Sequence, residues 1–176
     1  MTGEKETARL RTALALLRLT LGLIILTTWY DNLTKGLYSP DGLTGFLNWL
    51  SDPNGNGGTL DFYHAFLDAA IVPVAGVFAP FQMVAELAMG LGLLLGGLTR
   101  LFAIAAMFFF LNLILAYFGG QEWIWAYVLL FMVAMAVALG AAGRKWGIDR
   151  WLRQRQSLTR FSLFLLLTHL YPWKLL

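Results

Sequence analysis

The sequence predicts an all-α integral membrane protein, a single domain over residues 1–176 in which four transmembrane helices form a bundle. Its 176 residues are 59% hydrophobic and only 13% charged, with a mean hydropathy of +0.66. Soluble domains are about half apolar and about a quarter charged, so this composition is typical of a membrane protein. Four stretches also reach the length of about 20 mostly apolar residues that a spanning helix needs. These stretches are 12–30, 81–98, 101–118 and 123–142.

Arg18 lies inside the first stretch, where a cleaved signal peptide would have an uninterrupted apolar run. The stretch also lacks a cleavage pattern of small residues, so we expect it to be retained as a transmembrane helix. Lysine and arginine residues concentrate on the cytoplasmic side of membrane proteins. In the four-span arrangement one side holds these residues at both chain ends and at Arg100, whereas the other side holds Lys35 alone. The sequence therefore predicts a multi-pass protein of the cell membrane with both termini in the cytoplasm.

The connection at 36–80, on the predicted outer side, is too patterned to be a simple linker. Apolar residues recur at helical spacing in two groups, separated by the turn-rich stretch 51–58. The groups are Leu43, Phe46, Leu47, Leu50 and Leu60, Tyr63, Leu67, Ile71. We predict two short interfacial helices here, with a lid over a substrate as the alternative. Pro73, Gly76 and Pro80 then predict a kinked or re-entrant passage into the second span.

The segment after the fourth span, 143–176, is predicted to be a cytoplasmic tail. Its basic stretch 150–160 is expected to lie along anionic lipid headgroups. The apolar stretch 161–173 is short for a crossing. We therefore predict an amphipathic or apolar C-terminal helix that lies in the membrane plane or contacts another subunit.

Small residues allow transmembrane helices to approach each other closely. Gly92 and Gly96 lie four residues apart in the second span, and Ala134, Ala138 and Ala142 have the same spacing in the fourth. The sequence predicts that both sets are contact stripes within the bundle.

Arg18 and Glu86 are the two ionisable residues inside the predicted spans. Such residues are costly in a bilayer and often mark functional sites, and each of the two is the other's most direct candidate partner. At 1.5 Å per residue, Arg18 lies about 9 Å from the inner boundary and Glu86 about 9 Å from the outer one, so direct contact is not required. Arg18 could instead extend toward the cytoplasmic headgroups.

Other polar side chains fall in the outer half of the predicted bundle, namely Asp31, Gln82, Asn112 and Tyr127. Together with Glu86 they predict a polar cavity that opens to the outer face. Glu86 would be its catalytic group, accepting a proton from a quinol or another small ligand, and Arg18 and the four polar residues would bind that ligand. The alternative is a hydrogen-bonded network that only fixes the register of the helices.

The chain contains no cysteine, which excludes disulfides, thiolate metal sites and iron–sulfur clusters built from this chain. Its two histidines, His64 and His169, fall on opposite sides of the predicted membrane, so we expect no bis-histidine haem and no metal site. The net charge of +3 comes from clusters at the chain ends, which suits a membrane surface better than a nucleic acid. We expect lipid and other protein subunits as partners, and no nucleic acid.

Over roughly residues 14–152, the chain resembles the DoxX and DoxD-like family of small four-helix membrane proteins. The segments that carry the resemblance are Leu17–Gly22, Asn32–Lys35, Glu86 with the glycine-rich 90–97, Leu98–Arg100, and Gly143–Asp149. The resemblance implies a four-helix bundle in which Arg18 and Glu86 match the intramembrane charges of the family. It also implies a sulfur- or quinone-linked redox system, because DoxD-like proteins are known as a subunit of thiosulfate:quinone oxidoreductase.

This resemblance favours the membrane subunit of a quinone-linked oxidoreductase. Quinone is then the expected cofactor, and the missing cysteines require another polypeptide to supply the electrons, so the chain is at most one subunit of an enzyme. A non-catalytic subunit that assembles a larger membrane complex is the first alternative. A small-solute carrier that uses Arg18 and Glu86 is a weaker one, because the four spans show no inverted repeat.

Overall fold

The computed structural model describes residues 2–52, 58–120, 122–140, 142–144 and 146–149, and these residues form helices and no strand. The six α-helices are α1 (Thr2–Thr34), α2 (Pro40–Ser51), α3 (Asp61–Phe66), α4 (Ala75–Leu95), α5 (Thr99–Ala116) and α6 (Trp125–Leu139). A π-helical turn (Leu67–Ile71) and a 3-10 turn (Val72–Val74) join α3 to α4, and a second 3-10 turn (Ala142–Arg144) follows α6. The described chain is therefore all-α, as predicted.

Three helical runs are long and apolar enough to cross a membrane, namely Glu4–Thr34, Asp61–Leu95 and Thr99–Ala116. The fourth predicted span, 123–142, contains α6, which is apolar but only 15 residues long. A helix of that length rises about 22 Å, less than the ~30 Å of a bilayer's hydrocarbon core. The membrane character of the chain is thus carried by three long helical runs, and the fourth crossing remains a prediction.

The long helices pack mainly as two antiparallel pairs, α1 with α4 and α5 with α6. Contacts of α1 with α6 and of α4 with α5 join the pairs. Their shared core consists of Leu21, Ile25, Met89, Leu93, Ala103, Ala106, Phe110, Ala134, Val137, Ala138 and Ala142. The predicted alanine stripe of α6 and the following turn lies within it. The bundle has two ends. We call the end that carries α2 the α2 end. The opposite end, at the α4–α5 turn, is called the Arg18 end.

Glycines set the closest approach of α1 to α4. A Cβ atom added at Gly22 would lie 2.8 Å from the backbone nitrogen of Leu94, and one added at Gly90 would lie 2.7 Å from the side chain of Leu26. Gly92, one of the two glycines predicted to form a stripe, instead faces the ring of Phe102 on α5. The glycines of α4 therefore serve two neighbouring helices.

The segment between α1 and α4 forms a second apolar core at the α2 end. Leu43, Leu47 and Leu50 of α2 are buried in it together with Tyr63 and Leu67 from the region of α3. All five belong to the two groups of apolar residues that recur at helical spacing in the sequence. The hydroxyl of Thr59 ties this layer to the bundle by donating to the carbonyls of Leu50 at 3.0 Å and Ala116 at 2.9 Å.

The predicted break before the second span takes the form of a change in helix type. Pro73 lies in the 3-10 turn that follows the π-helical turn, and Pro80 lies inside α4. Proline lacks a backbone N–H, so Pro73 fits a place where the regular hydrogen-bond pattern is already interrupted, whereas Pro80 removes one hydrogen bond within α4. The run Asp61–Leu95 stays helical throughout. The basic stretch 150–160 and the apolar stretch 161–173 lie outside the described residues, so the predictions for them stay open.

Substitution of Gly22 by alanine should destabilise the bundle. The added methyl group meets the backbone of α4, which cannot move aside as a flexible side chain could, and overpacking of this kind costs about 1–3 kcal/mol. Thermal unfolding of the purified protein in mild detergent measures the change. Gly45→Ala is the matched control, because Gly45 is an exposed glycine of α2 with nothing within 4 Å of the new methyl group. Equal unfolding temperatures for the two variants would contradict the close crossing.

Candidate functional site

The carboxyl group of Glu86 is the centre of a buried hydrogen-bond network between α1, α4 and the α1–α2 turn. Glu86 is only 1% exposed. Gln82 Nε2 donates to its Oε1 at 2.8 Å, and Tyr38 Oη donates to its Oε2 at 2.7 Å. Asn32 Nδ2 donates to Oε2 at 3.3 Å. The three donors are uncharged, and no basic side chain of the described residues donates to this carboxyl group.

The local sequence explains how these donors reach one point. Gln82 lies one helical turn before Glu86 on α4, so both side chains share a face. Asn32 lies in the last turn of α1, next to the point where the indole of Trp29 donates to the carbonyl of Met83 at 3.0 Å. That bond and the Asn32 contact align α1 with α4.

Tyr38 reaches the site because α1 ends in a glycine turn. Gly36 has a φ of +71°, a backbone conformation that favours glycine. The amide of Leu37 then bonds to the carbonyl of Asn32 at 3.0 Å, and that of Gly36 to the carbonyl of Leu33 at 3.1 Å. This is the Schellman pattern of a helix C-terminus, which reverses the chain direction. The chain returns over the end of α1 and brings Tyr38 to Glu86.

Tyr38 is partly buried and links the interior carboxyl group to the α2 end. Burial and the hydrogen bond to Glu86 raise the pKa of Tyr38 well above its ordinary value. Both causes favour the neutral phenol over the phenolate. Tyr38 therefore stays a hydrogen-bond donor throughout the physiological pH range.

Arg18 does not pair with Glu86. Its guanidinium, with the side chain 0% exposed, donates from Nη1 to the carbonyls of Leu93 at 3.0 Å and Leu94 at 3.5 Å, and from Nη2 to the carbonyl of Trp146 at 3.0 Å. Leu93 follows Glu86 by seven residues on α4, which is about 10 Å of rise along the helix. Arg18 also does not extend to a surface. It closes the C-terminal end of α4, where free carbonyls and the helix dipole favour a cation.

Asp149 supplies the negative charge near Arg18. Its carboxylate accepts from the amides of Leu98 at 2.8 Å and Thr99 at 3.1 Å, and its own amide donates to the carbonyl of Gly96 at 2.9 Å. The acid thus caps the beginning of α5, as carboxylates commonly do at helix N-termini. Arg18 and Asp149 together fix the α4–α5 turn against the segment that follows α6.

The remaining predicted site residues lie apart from Glu86. Asp31 is exposed and forms an ion pair with Lys35. The ring of Tyr127 stacks on that of Tyr117 with centroids 5.5 Å apart, at the α2 end. Asn112 is exposed on α5. The structure therefore joins Gln82 to Glu86 and leaves Arg18, Asp31, Asn112 and Tyr127 outside this network, so the binding roles predicted for them stay untested.

The sequence analysis selected neither Tyr38 nor Asp149 as a site residue, and it named Asn32 only within the segment Asn32–Lys35 that supported the family resemblance. A signal for Tyr38 did exist in the sequence, since Gly36 just after a long helix indicates a reversing turn. For Asp149 the signal was weaker. It lies in the segment Gly143–Asp149 that supported the family resemblance.

Replacing Arg18 by glutamine should lower the unfolding temperature strongly. The change removes the charged donor from the carbonyls of Leu93, Leu94 and Trp146, and a hydrogen bond that involves a charged group contributes about 1.5–3 kcal/mol. Arg11→Gln is the matched control, because it makes the same change at an exposed position of the same helix. Thermal unfolding in detergent compares them, and an Arg18 variant as stable as the Arg11 variant would contradict the structural role of this side chain.

The comparisons with known proteins agree with the architecture. The family model of DoxX matches residues 13–119, which is more than half of the chain and runs from α1 to just beyond α5. No curated protein and no solved structure matches the chain. Both Arg18 and Glu86 lie within the matched residues, whereas Gly143–Asp149 lies beyond them. The family match and the three long apolar helical runs together establish that this chain is a membrane protein belonging to the DoxX family.

Proposed function

We propose that this protein is the membrane subunit of a quinone-linked oxidoreductase, in which the Glu86 network exchanges a proton with the head group of the quinone. The observation that carries the proposal is a buried carboxyl group held by three neutral donors and, among the residues that the structure describes, by no cation. The thiosulfate:quinone type is the form that the family resemblance suggests.

The proposed protein has four crossings, with α6 and its flanking residues as the fourth. Both termini lie in the cytoplasm, so the Arg18 end is the cytoplasmic end and the α2 end faces outward. The distribution of lysine and arginine supports this orientation. Glu86 lies near the middle of α4, and Tyr38 connects it to the outer side.

The residues around Glu86 suit the chemistry of a quinone head. A quinone takes up two protons with two electrons to become a quinol, and the quinol returns them on oxidation. The amides of Gln82 and Asn32 each have a second N–H of the kind that quinone oxygens accept, and the phenol of Tyr38 holds the carboxyl group with its one O–H. Each of the three is only partly buried, so a ligand that approaches from the α2 end meets them before it meets Glu86.

Glu86 is the group that gives or takes the proton, because a carboxyl group within hydrogen-bond reach of the ligand oxygen acts as a general acid or base. Tyr38 is a positioning residue that holds one carboxyl oxygen. The electrons have to come from another polypeptide, because the chain has no cysteine with which to bind an iron–sulfur cluster or form a dithiol.

Purification in mild detergent, followed by solvent extraction and chromatographic measurement of quinone per protein, tests the proposal. The wild type should retain quinone, and Glu86→Gln should retain about 10- to 100-fold less, because the new amide nitrogen faces donors that the carboxyl oxygen accepts and a buried donor left without a partner costs about 1–3 kcal/mol. Glu122→Gln, the same change at an exposed position, should match the wild type. A wild type without quinone, or equal retention in the Glu86 variant, would contradict the proposal.

Tyr38→Phe should have a smaller effect of the same sign. The phenyl ring keeps the packing and removes one donor, so Glu86 keeps the amides of Gln82 and Asn32. The lost hydrogen bond to the carboxyl group contributes about 0.5–1.5 kcal/mol, so short-chain ubiquinone binding should weaken about 2- to 10-fold. Quenching of tryptophan fluorescence during titration with this ubiquinone measures the affinity. Unchanged affinity would remove Tyr38 from the site.

The second candidate function is a non-catalytic subunit that assembles a larger membrane complex. Arg18 and Asp149 favour it only in part, because these two residues stabilise the chain itself. The quinone measurement separates the two functions. Co-purification with other subunits at fixed stoichiometry, without quinone, would support assembly alone.

A further inference from the structure

Asn112 occupies an unusual place on α5. The buried residues of this helix, among them Ala103, Ala106 and Phe110, lie on one side. Asn112 is exposed, and the helical period of 3.6 residues places it on the opposite side. No side chain or backbone group of the described residues forms a hydrogen bond with it. Its amide therefore points away from the bundle.

The position along α5 places this amide inside the membrane. Asn112 precedes the last residue of α5, Ala116, by four residues, which is about 6 Å of helix. The side chain of asparagine is short, so it cannot reach the boundary as lysine or arginine can. An unsatisfied amide in hydrocarbon costs several kcal/mol, so a partner helix that satisfies it is favoured.

The surrounding face fits a second transmembrane helix. Its exposed residues recur at intervals of three and four, and they are Leu101, Ile104, Ala105, Phe108, Leu111 and Asn112. This spacing forms a continuous seam along one side of a helix. Asn112 is the one polar side chain in that seam.

We propose that α5 forms a symmetric dimer interface with α5 of a second copy of this chain, in which the two Asn112 side chains hydrogen-bond to each other. An amide carries both donors and an acceptor, so across a two-fold axis each copy can donate one hydrogen bond to the other and accept one in return. This self-complementarity points to a second copy as the occupant. The interface does not depend on the proposed quinone function, since Glu86 lies on another helix.

The absence of cysteine makes cross-linking a direct test. Phe108 is 68% exposed and lies one turn before Asn112 on the same face, so Phe108→Cys places a reporter beside the amide while Asn112 is kept. Oxidation of native membranes with copper phenanthroline should give a covalent dimer on a non-reducing gel. The controls are Val84→Cys on α4 and Met132→Cys on α6, which are 60% and 49% exposed and should give little dimer.

The role of the amide is tested by adding Asn112→Leu to the reporter variant. Interhelical hydrogen bonds in membranes contribute enough to change association about 3- to 20-fold, so the dimer yield at low protein density should fall by a comparable factor. Three results would overturn the proposal. These are a yield at position 108 no higher than in the controls, a yield unaffected by Asn112→Leu, or a product whose mass matches a different protein rather than two copies of the chain.

Discussion

Two ionisable side chains inside an apolar helix bundle have to be satisfied by the chain itself, and this constraint explains most of the architecture. Arg18 and Glu86 are almost completely buried, yet they do not neutralise each other. Arg18 binds carbonyls at the end of α4 and lies near Asp149. Glu86 binds three neutral donors. Arg18 thus lies at a helix terminus with an acid nearby, whereas no basic side chain in the described part of the chain bonds to Glu86.

The contact between α1 and α4 connects the hydrogen bonds of Arg18 to those of Glu86. Along it lie the Arg18 bonds at one end, the close crossing at Gly22 and Gly90, the Trp29–Met83 bond, and the Asn32–Glu86 bond. Because α1 and α4 are rigid helices, a shift at the Arg18 end would also move the donors of Glu86. The Arg18 contacts therefore help to position the Glu86 network, although the two sites lie about 10 Å apart along the helix.

The sequence was sufficient to predict the all-α membrane fold, the buried alanines 134, 138 and 142, and the leucines of α2, because these depend on helical periodicity. It could not predict the partner of Arg18, since backbone carbonyls occur at every residue and carry no sequence signature. The sequence also indicated only the depth of Asn112 in the predicted membrane and not the side of α5 on which it lies. Helix α5 is apolar on nearly all sides, so periodicity does not tell which face packs inward. Tyr38 depends on the direction of a turn, which periodicity does not report.

The proposed function requires Glu86 to change its protonation when a quinone or quinol binds. Infrared difference spectroscopy of the purified protein, recorded on addition of short-chain ubiquinol, measures this directly through the carboxyl stretching band. The account predicts a carboxyl band change in the wild type and in Glu122→Gln that is missing in Glu86→Gln. A difference spectrum that keeps the same carboxyl bands in the Glu86 variant would contradict it.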